Sequence, residues 1–154
     1  MVNAYGALKF LHVLSVIAWV GGVTSLSVVT WRSRRERNRE ILAAILRQAT
    51  SFGQMIAGPA SLIVLLTGAA MVGTAHIGFG TFWVQLGFAG ILLHFLIGAT
   101  VLRKRTTRLL QLASGSSGDD AALLAAARRL WSAQLVYLAL LVLVVGVMVV
   151  KPTL

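Results

Sequence analysis

Residues 86–105 read LGFAGILLHFLIGATVLRKR: an apolar run of helical length that holds one imidazole, His94, and ends in the basic cluster Arg103, Lys104 and Arg105. A run of this length and polarity predicts a membrane-spanning helix. An ionisable side chain inside such a span is costly enough that a functional reason is the first hypothesis. Gly87, Gly90 and Gly98 recur with His94 at helical spacing, so one face carries almost no side-chain bulk besides the imidazole. That face admits either a close-packed neighbouring helix or a flat ligand.

The rest of the chain has the same character. Its 154 residues are 58% hydrophobic and only 12% charged, with a mean hydropathy of +0.86, far outside the range of soluble domains. Four apolar runs are long enough to span, and they predict an all-α membrane protein, a four-transmembrane-helix bundle. Its helices fall at about 5–31, 52–73, 81–102 and 129–150, joined by loops 32–51 and 103–128, so residues 1–154 form a single membrane domain. Cysteine is absent, which excludes a disulfide framework and a thiolate metal site. The first run lacks a basic leader and a small-residue cleavage site, and reads as a retained helix.

The net charge of +10 is topological. Of the 14 Lys and Arg, 12 lie between Arg32 and Arg47 or between Arg103 and Arg129, and so do all four acids. The positive-inside rule then puts both loops in the cytoplasm and both termini outside, in a multi-pass protein of the bacterial inner (plasma) membrane. The lipid bilayer with its anionic headgroups is the expected partner of these side chains, and nucleic acid is not.

Along the chain, Tyr5, Lys9, His12, Val16 and Trp19 share one face of the first helix, and Gly21-Gly22 reads as a packing or kink site. Residues 40–48 read as an amphipathic lead-in to the second helix. Within that helix Pro59 is expected to kink the span, Gly58, Ser61, Leu65 and Gly68 make a small-residue face, and Met55 and Met71 read as packing residues. His76 lies in the short connection before the third helix, solvated or serving in a metal or ligand-gate role. Gln85, near the start of that helix, is a hydrogen-bonding partner for a ligand or for another helix. Residues 114–120, SGSSGDD, have linker composition, with Asp119 and Asp120 suited to a helix start. The later half of the fourth helix is Leu and Val, scaffold or lipid-facing.

The spans contain no Asp or Glu, which excludes paired-carboxylate acid-base work, and there is no Walker loop, dinucleotide fingerprint or nucleophile elbow. Imidazole remains. Histidines on different helices of a bundle, with glycine making room for a porphyrin, are the ligand chemistry of a b-type haem. A copper site of His and Met is the competing use of the same atoms.

The segments LKFLHVLSVIAWVGG, IAGPASLIVLLTGAAMV and FWVQLGFAGILLHFLIG, spread over residues 7–102, carry a resemblance. They resemble the first three helices of a bacterial superfamily that joins copper-resistance protein D membrane domains, related uncharacterised membrane proteins and the HemJ-type protoporphyrinogen oxidase. The shared elements are a His followed by a Trp and small residues, a Pro and a Thr-Gly, and an aromatic-led third helix with a late His. The resemblance implies b-type haem, with His12 and His94 as the functional histidines. The chain departs from the HemJ pattern at Gln85, where that pattern has a lysine, and at SLSVVTWR, where it has Leu-Pro-Arg. Its WVGG is nearer the uncharacterised branch.

Depth separates the two rings. At roughly 1.5 Å per residue, His12 lies about 30 Å from Arg32 and His94 about 13 Å from Arg103. One iron reaches both only through tilt, a helix break or an uneven basic fence. Otherwise His12 is the preferred haem ligand, with Lys9 on its face to pair with a propionate. The expected function is a b-haem-binding membrane protein with a redox or electron-transfer role, its site drawn from His12, His94, Lys9, Gly90, Gly98 and Gln85. The alternatives are a non-catalytic subunit in a homo-oligomer or larger membrane complex, and a copper-handling domain.

Overall fold

The computed structural model describes residues 4–115 and 119–152. It is helical throughout, and among these residues four helices are long and apolar enough to cross a membrane. α1 runs Ala4–Ser33. α2 (Arg39–Phe52) continues through a π-helical turn, Gly53–Ala57, into α3 (Gly58–Thr74). α4 (Phe82–Ile97) continues through a second π turn, Gly98–Leu102, into α5 (Arg103–Ser114), and α6 runs Asp120–Val150. Residues 116–118, in the middle of the expected linker, lie outside the described part.

The continuous helices are longer than a bilayer requires. The 36 residues of Arg39–Thr74 correspond to about 54 Å of helix at roughly 1.5 Å per residue, against about 30 Å of hydrocarbon. The surplus projects at the basic end. There α2, α5 and the start of α6 pack Leu42, Leu46, Leu109, Leu123 and Leu130 into a separate small core. The amphipathic lead-in at 40–48 is thus part of α2, while the loop expected over residues 103–128 is largely helix. Asn38 caps α2 by accepting from the Glu40 and Ile41 amides, and Asp119 caps α6 by accepting from Ala122.

In the apolar part α1 packs antiparallel on α3 and α4 antiparallel on α6. The register of the first pair follows from His12 beside Thr67 and Gly22 against Ala57. Trp19, Val23, Ala60, Val64, Ile91, Leu141 and Val144 form the core between the pairs. Most other Leu, Ile and Val on these helices, such as Ile17, Leu66, Leu93 and Leu143, face outward, as lipid-facing residues do. α3 touches α4 less closely than α1 touches α3 or α4 touches α6. Pro59 falls in the first turn of α3, directly after the π turn, so the backbone donor it lacks coincides with the local change of helix type.

Candidate functional site

The two histidines of the spans lie at different depths, His12 half-buried and His94 buried. In the half of the bundle away from the basic end, the Nδ1 of His12 lies 2.9 Å from the Thr67 hydroxyl. That hydroxyl donates to the Ile63 carbonyl at 2.6 Å, the back-bond typical of helical threonine. Its single proton is therefore committed, and Thr67 accepts from His12. With Thr67 as acceptor, the neutral ring carries its proton on Nδ1 and its lone pair on Nε2. Gly68 lies beside the ring, where a Cβ would make ordinary contact with His12 Cε1 at 3.4 Å. Lys9, one turn away on the same helix, is exposed, and so is Gln85.

The second histidine lies deeper. His94 is only 1% exposed, and both its ring nitrogens are buried without a hydrogen-bond partner. Its ring stacks on Tyr137 of α6 with centroids 3.6 Å apart and meets the edge of Trp19 at 4.9 Å. Because Trp19 is seven residues beyond His12, the two imidazoles differ in depth by about 10 Å at roughly 1.5 Å per residue. The basic fence is uneven, but not enough to bring both rings to one iron.

The glycine face beside His94 is filled by α6. A Cβ on Gly87 would strike Met148, one on Gly90 would strike Val144, and one on Gly98 would come within 2.8 Å of the Tyr137 hydroxyl. Of the two uses this face admits, the structure shows helix packing. His76 occupies the left-handed region, with φ 54°. The Ile77 amide bonds back to Val72 across it, so His76 closes the end of α3 where glycine is usual. Met55 is exposed at the bundle surface.

Beside Tyr137 lies a cavity of about 520 Å³ at the junction of the apolar bundle and the basic-end core, bordered by residues of both π turns. Gln134, one turn before Tyr137, is 5% exposed and borders the same cavity. Its Nε2 donates to the Ser27 hydroxyl at 3.0 Å, and Ser27 in turn donates to Val23. Reading the residues alone missed both Gln134 and Tyr137. The available signal was their three-residue spacing inside an otherwise apolar helix, and the bond from Gln134 to Ser27 spans 107 positions. Among the described residues no three His, Asp or Glu side chains converge as a metal centre.

The chain belongs to the DUF2269 family, described as predicted integral membrane proteins, whose profile matches residues 6–152. No curated protein and no solved structure gives a significant match.

Proposed function

We propose that this member of the family is a multi-pass protein of the bacterial plasma membrane that holds a b-type haem at His12 and takes part in electron transfer. The observation that carries the reading is the bond from His12 to Thr67. An iron-binding imidazole characteristically donates its other ring N–H to a fixed acceptor, which sets the tautomer and the orientation of the ring. His12 has this arrangement, and its Nε2 is left available.

The donor set favours haem over copper. A protein-built copper site needs several ligands in one place, and among the described residues no three His, Asp or Glu side chains supply one. A porphyrin brings four nitrogens of its own and asks the chain for one or two. His12 would supply the axial ligand, Thr67 would orient it, and Lys9 would pair with a propionate. Haem bound there exchanges one electron between ferric and ferrous iron. The resemblance of residues 7–102 to the superfamily that includes HemJ-type oxidases supports the same reading. The clustering of basic residues at one end supports cytoplasmic loops with both termini outside.

The test is an absorption spectrum of protein purified from haem-supplemented cells, oxidised and then reduced. The expected result is a Soret band that His12→Ala abolishes and His94→Ala retains. Thr67→Val should weaken haem retention by about 10- to 100-fold, the usual effect of removing a ligand's orienting partner. Absence of pigment in the wild-type protein would leave the non-catalytic subunit as the reading to pursue.

A further inference from the structure

We propose that the cavity beside the two π turns is a binding site for a membrane quinone or quinol. Of the deeper hydroxyls that border the cavity, Thr30, Thr50 and Ser61 each donate to a carbonyl of their own helix, while Gln54, Arg103 and Thr107 are exposed at its rim and Thr106 is half-buried. Gln134 is different. Ser27 spends its only proton on Val23, so it can only accept, and the amide of Gln134 must present Nε2 to it. The carbonyl Oε1 of Gln134 is left with no protein partner, and the Tyr137 hydroxyl has none either. The two lie three residues apart on α6 and border one cavity, so they share a helix face.

An acyl chain filling this space would bury an amide oxygen and a phenol unpaired, which is unfavourable in a low-dielectric interior. A ring that carries oxygen satisfies both. Tyr137 can donate to a quinone carbonyl, and the Oε1 of Gln134 can accept from a quinol hydroxyl. Part of the wall suits a flat ring: Gly53 and Gly58 come from one π-turn region, and Gly98 and Ala99 from the other. The volume is within the range of small-molecule sites. Phe95, 57% exposed, borders the cavity beside the weakly packed α3 and α4, which gives an isoprenoid tail an apolar way out toward lipid. π turns are found disproportionately at functional sites.

The proposal does not rest on the haem reading, and its test separates the two. Full-length protein in nanodiscs is titrated with decylubiquinone and with decylubiquinol under anaerobic conditions, following quenching of tryptophan fluorescence. Saturable binding of both forms is expected. Tyr137→Phe keeps the ring stacked on His94 and should weaken the oxidised form about tenfold. Gln134→Met should weaken the reduced form about tenfold and leave the oxidised form nearly unchanged, because only the quinol has a proton to give. Ala99→Leu should abolish binding of both by filling the cavity. His12→Ala should leave quinone binding intact whether or not haem is present. Three results each overturn the proposal: no saturable quenching, affinities insensitive to Tyr137→Phe and Gln134→Met, or complete competition by phospholipid alone.

Discussion

At His12 and at Gln134 the same small device recurs. A hydroxyl on a spanning helix gives its proton to its own backbone and thereby becomes an obligatory acceptor for a side chain on another helix. In hydrocarbon, where water cannot compete, that commitment settles which atom of the partner is left free: Nε2 of the imidazole in one case, Oε1 of the amide in the other. Thr67→Val removes one acceptor of the half-buried His12 ring while keeping the shape and leaves the Val64 carbonyl, so the fold should lose about 1 kcal/mol, measurable as a lower thermal midpoint in detergent. His76 gives a prediction of opposite sign. Its left-handed backbone costs roughly 1–2 kcal/mol for a residue with a Cβ, and glycine would relieve this at an unfolded-state entropy cost of about 0.4–1 kcal/mol. His76→Gly should therefore raise stability by about 0.5 kcal/mol, a shift of about 1–2 °C for a chain of this size. A ligand-gate role for His76 would show instead as a loss of function. At this scale the sequence exposes the histidines, because imidazole is conspicuous among Leu, Val and Gly. It hides Thr67, which pairs across 55 positions and looks like any helical threonine.

The glycines of α4 show how packing ranks positions that look equivalent on a helical wheel. Gly87 and Gly90 both face α6, yet their neighbours differ in stiffness. A Cβ on Gly87 would overlap the terminal methyl of Met148, which can swing aside about three torsions. A Cβ on Gly90 would fall 2.5 Å from Cγ2 of Val144, which is branched at Cβ and buried in the core. Gly90→Ala should cost about 1–3 kcal/mol by overpacking, and Gly87→Ala clearly less, a difference that thermal unfolding of the two variants side by side will resolve. Equal effects would mean that α4 and α6 separate to absorb either methyl group. The same element shows why loop boundaries were the least legible part of the sequence. Arg103, Lys104 and Arg105 mark where hydrocarbon ends, but the helix does not end with it. The backbone continues through a π turn, and Leu109 and Ala113 then find a face to bury. The lead-in to α3 was recognisable because its apolar residues keep a helical period.

The whole molecule is asymmetric along its long axis, and that asymmetry decides what can be tested without a ligand. One end carries a second core of α2, α5 and α6 within a shell of Arg and Lys, capped by Asn38 and Asp119 and tied by the Arg39–Asp120 ion pair. The other end carries, among the described residues, the single connection between α3 and α4 and an aromatic edge where Trp83 meets Lys151 at 5.4 Å. Loops with a strong Lys and Arg excess resist translocation, so the cored end should face the cytoplasm and the α3–α4 connection the exterior. The chain has no cysteine, which makes single introduced thiols clean reporters. Ser114→Cys lies at the end of α5 on the basic side, and Gly78→Cys lies in the turn between α3 and α4, where a Cβ meets nothing within 4 Å. In intact spheroplasts an impermeant maleimide should label Gly78→Cys and leave Ser114→Cys unlabelled until the membrane is opened. The opposite pattern would invert the protein, placing His12 and its lysine in the cytoplasmic leaflet and the cavity at the outer one. A quinone would still reach that cavity from within the bilayer, but the basic core would then need a translocation signal stronger than its own charge.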